Sequence, residues 1–261
     1  MGEMSNAGKI GALTTYPIKS FDGLAHDQIA VGAYEALPSD RRYAIAPGPV
    51  DGEPSHIKPG HIKKAKLLNL ARHGDMARWR LEGSGTAMRA IVGDSSFAIP
   101  DEGGALAAAA CAALGIEDAD PHWIDMGEKH CADVETPLLS IMNAASLDAI
   151  ADEMGFAPEA ERFRANVSLD GFPALAEQSW AGLTMKLGEV TIRVIEPIAR
   201  CAAVSVVPGL GSVPENLVKR IYARTNTTFF GVYAEVLVGG TLKVGDPVTV
   251  GEAAPRAAHA F

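Results

Sequence analysis

The run LTMKLGEVTIRVIEPI, residues 183–198, alternates apolar and polar side chains for most of its length, and GVYAEVLVGGTLKVGDPVTV, residues 231–250, does the same. A period of two is typical of β-strands that bury one face. The Gly239-Gly240 pair inside the second run predicts a hairpin turn. The two runs therefore predict long β-strands in the C-terminal half of the chain.

Shorter strand-like segments fill the first hundred residues, and Gly, Pro and Asp separate them. They read IGALTTYPI, DQIAVGAY, RRYAIAPG, AKLLNLARH, MARWRLEG and TAMRAIVG. Many short strands at this spacing are typical of a barrel or a sandwich.

Helical patterns lie in the middle of the chain and near residue 220. Residues 101–115 predict an Ala-rich helix closed by Gly115, and residues 214–224 predict another. Residues 146–155 predict a helix with Ser146 as N-cap and Gly155 just after its end. The polar segment 115–137 shows no periodicity and predicts an irregular boundary between two domains.

Composition and charge exclude several classes of protein. With 261 residues and 48% hydrophobic content, the chain can bury one large core or two small ones. A net charge of −9 argues against nucleic acid or an anionic membrane as partner. The longest apolar run, residues 105–114, is too short to cross a bilayer, and three cysteines make no disulfide framework. We therefore expect a cytoplasmic protein that binds neither nucleic acid nor membrane.

Basic residues gather in three short segments. Lys19 and Ser20 end an apolar run, and Arg41 follows Asp40. The third segment, RFRANVSLDG, carries Arg162, Arg164 and Asn166, whose spacing places them on one face of a predicted strand. Cations beside a hydroxyl can hold a phosphate by charge and hydrogen bonding. Solvated basic residues, with Asp40 pairing an arginine, are the alternative interpretation.

The cysteines and histidines leave several interpretations open. Cys201 follows Arg200 directly after a predicted strand, and its thiol can be buried filler, a nucleophile or a metal ligand. Cys111, in the Ala-rich helix, is expected to be a small buried residue, whereas Cys131, after His130, is either reactive or an incidental surface thiol. His56 and His61 could bind a metal but are more typical of solvated side chains. Phosphate-loop, dinucleotide-binding and paired-cysteine zinc motifs are absent from the sequence.

In order and spacing, six segments resemble the family of proteins that carry a MOSC domain, the molybdenum-cofactor sulfurase C-terminal domain, preceded by an N-terminal β-barrel domain. They are YPIKSFDG, SDRRYAIAPG, TPLLSIMNAASLDAI, RFRANVSLDG, AEQSWAGLTMKLGEVTIRVIEPIARC and FFGVYAEVLVGGTLKVGDPV. The resemblance implies a mainly β chain with some α (α+β). It further implies an N-terminal β-barrel-like domain over residues 8–125 and a MOSC β-barrel core with a few helices over residues 126–255.

The resemblance also implies a set of site residues. In relatives that bind molybdenum cofactor, the cysteine that matches Cys201 coordinates the metal, which suits a soft thiolate, and Arg200 beside it favours the ionised thiol. The remaining matched residues hold the pterin phosphate or contact the same cofactor. They are Lys19, Ser20, Arg41, Thr136, Arg164 and Asn166.

The function that follows from the resemblance is that of a molybdenum-cofactor oxidoreductase. It would reduce N-hydroxylated or related N–O or S–O compounds, which are small molecules, by oxygen-atom transfer. Three cysteines cannot ligate a plant-type iron-sulfur cluster, so the electrons would come from a separate ferredoxin- or flavin-type protein. The alternatives are a sulfur carrier or carbon–sulfur chemistry through a Cys201 persulfide, and a non-catalytic cofactor carrier.

Two residues depart from the family pattern beside the expected ligand. Ala202 stands where many relatives have proline, and Val207 stands where they have an acidic residue. Loss of a carboxylate near the metal would affect proton delivery or the class of substrate.

Overall fold

The computed structural model describes residues 7–50, 62, 64–127, 129–134, 136–154, 156–212 and 216–253, which form a mainly β structure with three α-helices. The strands are β1 (Ala7–Thr15), β2 (Leu24–His26), β3 (Gln28–Val31), β4 (Tyr43–Ala46), β5 (Arg80–Glu82), β6 (Arg89–Val92), β7 (Ser95–Ala98), β8 (His122–Asp125), β9 (Leu139–Asn143), β10 (Val167–Asp170), β11 (Leu183–Leu187), β12 (Val190–Ala199), β13 (Val206–Val207), β14 (Gly211–Ser212), β15 (Phe229–Val238), β16 (Gly240–Lys243) and β17 (Pro247–Ala253). The helices are α1 (Gly103–Ala113), α2 (Ala144–Met154) and α3 (Leu217–Thr225). The expected fold class is confirmed.

Seven strands form a closed barrel in the order β1, β10, β9, β15, β12, β11, β17. Strand β1 closes the ring because it pairs with β10 on one side and with β17 on the other. All of the pairings are antiparallel except that of β9 with β10. Apolar side chains such as Ile10, Leu169 and Val194 fill one core cluster of the barrel strands, as closure of a small barrel requires.

The barrel takes strands from both predicted domains. Its first strand, β1, comes from the predicted N-terminal domain, and the other six come from the second half of the chain. Of the other N-terminal strands, β2 pairs with β1, β3 pairs with β16, and the rest form a three-stranded sheet, β5-β6-β7, and the β4–β8 pair. Helix α1 packs against the sheet and against β8 over a separate apolar cluster. The boundary at residue 125 stays a prediction.

The long strands predicted from the two alternating runs are present, but the hairpin at Gly239 and Gly240 is wrong. Strand β16 leaves β15 and pairs with β3, with Gly240 opposite Val31. A Cβ atom at Gly239 would lie 2.6 Å from the carbonyl oxygen of Val31. Gly239 therefore permits two backbone segments to approach closely. In the sequence, the Gly-Gly pair indicates a turn and gives no sign of this role.

Other local predictions need correction. Residues 65–73 were expected as a strand but begin in a 3-10 helix, Lys64–Lys66, and the segment 115–137 contains β8. Ser146 lies inside α2, where its hydroxyl donates to Glu177 at 2.7 Å instead of capping the helix. Gly155 lies outside the described residues, as do His56 and His61.

Within the described part of the chain, none of the helices has both the length and the apolar character that a bilayer crossing needs.

We predict that Gly239→Ala lowers the free energy of unfolding by about 1–3 kcal/mol, because a backbone oxygen must move to admit the new methyl group. Urea denaturation measures the change. Gly104→Ala is the matched control, because a Cβ there meets nothing within 4 Å and alanine favours the helix. Equal stability of Gly239→Ala and the wild type would show that β16 and β3 are not held this close.

Candidate functional site

A cleft opens where the end of β12 meets the loops that follow β1 and precede β4, and it contains about 1030 Å³ of empty space, part of it open to solvent. Seven of the eight predicted site residues line it. They are Lys19, Ser20, Arg41, Arg164, Asn166, Arg200 and Cys201. The fold thus brings together residues from four distant segments of the sequence.

Thr136 is the predicted residue that the structure does not bring into the cleft. It is exposed and is not among the lining residues. A hydroxyl is supplied instead by Ser140, four residues later on β9, which donates to Asn166 Oδ1 at 2.8 Å. A hydroxyl expected in this part of the chain is therefore present, but on a different residue.

Three cleft residues have left-handed backbone conformations: Ser20 at φ 72°, Arg41 at φ 53° and Arg164 at φ 51°. Non-glycine residues rarely adopt this region, at a cost of about 1–3 kcal/mol each, and such residues concentrate at functional sites. The shared strand face predicted for Arg162 and Arg164 is wrong. Arg162 lies in a 3-10 helix, Ala160–Phe163, and Arg164 caps it before β10 begins.

Arg41 is held by Asp40 and by the backbone. Its guanidinium pairs with the buried Asp40 carboxylate and donates to the carbonyl of Arg164 at 2.8 Å. Burial favours the neutral form of Arg41, but the Asp40 charge and Tyr16 outweigh burial, so the pKa of Arg41 is raised. The alternative interpretation of the sequence, that Asp40 pairs with an arginine, is correct about the ion pair. The pair nevertheless lines the cleft.

Arg164 and Arg200 are fixed by backbone carbonyls and lack a carboxylate partner among the described residues. Arg164 donates to the carbonyl of Phe21 and lies over the ring of Tyr16, 4.3 Å from its centroid. Arg200 donates to the carbonyls of Phe230 and Phe163 at 2.7 and 2.8 Å. Burial, and to a smaller extent the neighbouring Arg41 cation, lower the pKa of each arginine to about 10.

Several polar atoms around the cleft are buried without a hydrogen-bond partner in the described structure. They are Arg162 Nη1, Arg164 Nη2, Arg200 Nη2 and His130 Nε2. All four belong to residues that line the cleft. Buried polar atoms are almost always paired in folded proteins, so this concentration makes the cleft the candidate ligand site.

The polar groups of Lys19 and Asn166 also have protein partners. Lys19 Nζ donates to Asp133 and to the carbonyl of Cys131, both at 2.9 Å. Asn166 donates to the carbonyl of Thr14 and accepts from Ser140 and Arg41. Asn166 therefore positions Arg41. It could contact a ligand only through the part of its side chain that faces the cleft.

Cys201 is the exposed cysteine, whereas Cys111 and Cys131 are buried. Burial raises the pKa of Cys111, and it raises the pKa of Cys131 to about 11. The buried role predicted for Cys111 is confirmed, and Cys131 is buried instead of lying at the surface. No group of three metal-ligating side chains occurs among the described residues, so a metal at Cys201 would need most of its ligands from a cofactor.

The two departures from the family pattern lie beside Cys201. Ala202 begins a 3-10 helix, Ala202–Ser205, and Val207 is buried in β13, where it pairs with β14. Val207 is not among the residues that line the cleft. Having valine in place of an acidic residue at position 207 therefore removes no carboxylate from the wall of the cleft.

Tyr16 is a residue of the site that sequence reasoning missed. Its buried ring lies beneath both Arg41 and Arg164, and burial raises the pKa of its hydroxyl. Tyr16 opens the quoted segment YPIKS, but an aromatic residue that ends a strand carries no signal for cation stacking. Arg164, which lies over the ring of Tyr16, comes next to it only in the folded barrel.

Comparison with known proteins agrees with this fold. The MOSC domain model matches residues 128–249. Comparison with curated protein sequences gives no match. The YuaD protein from Bacillus subtilis aligns with a TM-score of 0.50 and 14% identity over 95% of this chain and 97% of that one, which shows a shared fold. YiiM from Geobacillus stearothermophilus aligns with a TM-score of 0.34 and 18% identity over 47% of this chain and 57% of that one. Residues 128–249 of the chain are therefore a MOSC domain.

Proposed function

We propose that the protein is a molybdenum-cofactor-dependent oxidoreductase that reduces a small molecule containing an N–O or S–O bond. The MOSC family is associated with molybdenum-cofactor sulfurases and oxidoreductases. One observation supports the assignment most strongly: unpartnered, buried guanidinium atoms line the same cleft as an exposed, free thiol. The cofactor needs both features, because it carries a phosphate and a metal that is already bound by sulfur ligands and accepts a further thiolate.

The charges of the cleft fit a phosphate. Five cationic side chains line it, Lys19, Arg41, Arg162, Arg164 and Arg200, against two carboxylates, Asp40 and Asp133. This local excess of positive charge lies in a chain whose net charge is −9. An unpaired buried donor costs about 1–3 kcal/mol, so an anion that accepts from several of them gains affinity without new strain.

Cys201 fits the metal. Its thiol is exposed in the cleft at the end of β12, and the residue before it is anchored by Phe230 and Phe163. When bound, the cofactor would supply the oxygen-atom transfer itself. The chain would hold the cofactor's phosphate through its basic residues and supply the thiolate of Cys201 to the metal.

The overall reaction consumes two electrons and two protons. The N–O or S–O bond of the substrate breaks, its oxygen leaves as water, and the reduced product is released. The three cysteines are too few for a plant-type two-iron cluster, and the chain has no dinucleotide fingerprint. A separate ferredoxin- or flavin-type protein would supply the electrons.

Helix α3 is a suitable face for that donor. It carries Lys219, Arg220 and Arg224, all exposed, and no acidic residue. The helix packs on the turn that follows Cys201, and the backbone N–H of Leu217 donates to Ser205 Oγ at 3.0 Å. A basic helix beside the metal ligand would attract an acidic donor and keep the electron-transfer distance short.

The exposed Cys201 thiol is also compatible with a second function, the transfer of sulfur through a persulfide. The Cys201 thiolate would attack the outer sulfur of a persulfide donor, whose own thiolate leaves, and an acceptor nucleophile would later take that sulfur and release the Cys201 thiolate. Metal content separates the two functions. Molybdenum without turnover under any donor would instead indicate a non-catalytic cofactor carrier.

We predict that protein made in a host that synthesises the cofactor contains roughly one molybdenum atom per chain. A change to a residue that supports a metal ligand typically lowers activity about 10- to 100-fold. Cys201→Ser should lower it more, because a hard hydroxyl replaces the ligand thiolate itself. Mass spectrometry of metals and a reductase assay measure both. Cys111→Ala is the control, because that thiol is buried on α1 outside the cleft. Cyanide-releasable sulfur without molybdenum would favour the persulfide function.

Thiol labelling should distinguish the three cysteines. In native protein near pH 7.5 we predict rapid reaction of one thiol per chain, Cys201, because it is exposed, while burial keeps Cys131 protonated with a pKa of about 11. Mass spectrometry after iodoacetamide treatment locates the label. Bound cofactor should slow the labelling. Labelling of Cys131 at the same rate would contradict the burial described here.

The electron supply gives a further prediction. The isolated, molybdenum-loaded chain should not couple NADH or NADPH oxidation to substrate reduction, but should turn over with reduced viologen dye. Replacing Lys219 and Arg224 with glutamine should reduce the rate with an acidic ferredoxin at low salt and leave the dye-supported rate unchanged. Spectrophotometric assays measure both rates. Direct activity with a nicotinamide would refute the need for a donor protein.

A further inference from the structure

His130 lies in the loop between β8 and β9 and is 5% exposed. It lines the cleft and also a smaller cavity behind it that contains about 570 Å³ of empty space. Lys19, which holds the same loop through the carbonyl of Cys131, lines both spaces as well. The imidazole is therefore part of the wall at the Lys19 end of the cleft.

The hydrogen bonds of the ring identify its tautomer. The backbone N–H of Ala132 donates to His130 Nδ1 at 3.3 Å, so Nδ1 acts as an acceptor and carries no proton. In a neutral imidazole the proton must then be on Nε2. Burial lowers the pKa of His130, and the Arg41 and Lys19 cations lower it against the opposing effect of Asp40.

The Nε2–H group has no acceptor among the described residues, although it is buried. The charged groups that act on the ring are Asp40, Arg41 and Lys19. Asp40 already accepts from the backbone of Tyr16 at 2.7 Å and pairs with Arg41. The described residues thus leave the Nε2–H without an acceptor, and the neighbouring cations favour an anion in that place.

We propose that His130 is a phosphate-binding residue of the cleft, which donates from Nε2–H to a phosphate oxygen that Lys19 and Arg41 attract by charge. The proposal rests on the proposed function, because the natural phosphate would be that of the cofactor. A neutral donor adds a hydrogen bond to the anion without adding repulsion among cations that are already crowded.

Calorimetric titration of cofactor-free protein with inorganic phosphate tests this role. His130→Phe keeps a flat ring of similar size but has no donor, and we expect its phosphate affinity to fall by about tenfold or more. His130→Gln restores an N–H at a similar reach, and we expect it to regain most of the affinity. Thermal unfolding of each variant reports whether the fold is retained.

Nitrogen NMR of the wild-type imidazole gives a readout that does not depend on any variant folding. The Nε2-protonated tautomer should be present before phosphate is added, and the Nε2 resonance should shift on titration. A protonated Nδ1, an unshifted Nε2 or a His130→Phe protein with wild-type phosphate affinity would overturn the proposal, while molybdenum in the purified protein would leave the proposed function standing. A wild-type protein that binds neither phosphate nor molybdenum would overturn both.

Discussion

The side chain of Asn166 is the junction on which the cleft depends. Its amide donates to the carbonyl of Thr14 on β1 and accepts from Ser140 on β9 and from Arg41. Asn166 thereby joins strand β1, strand β9 and the segment that carries Arg41 at one buried group. A buried amide whose oxygen and nitrogen both have hydrogen-bond partners tolerates little displacement, so it fixes where Arg41 lies relative to the barrel.

The sequence predicts the elements of this fold better than their partners. Alternation identifies the strands because one face of each is buried, yet it cannot show that β16 leaves β15 for β3. Seven of the eight residues that the resemblance to a family implies line the cleft. The resemblance does not show the left-handed turns at Ser20, Arg41 and Arg164, because those conformations are imposed by tertiary contacts. The same contacts place Arg164 before strand β10, although its spacing from Arg162 predicts that both residues lie on a strand.

Net charge conceals the character of the cleft. The chain is acidic as a whole, but its fold gathers five cationic side chains around one space. Arg164 and Arg200 are buried, and both feel the charge of Arg41, which is why their pKa values are lowered. An anion in the cleft would relieve this repulsion, and by linkage it would stabilise the folded protein in proportion to its affinity.

Barrel closure also sets the order of events during synthesis. Strand β1, at residues 7–15, leaves the ribosome long before β17, at residues 247–253, which is one of its two barrel neighbours. The ring cannot close until almost the whole described chain has emerged. Contacts at such sequence separation are intrinsically slow to form, and β1 must wait with an unpaired edge that holding by a chaperone would protect.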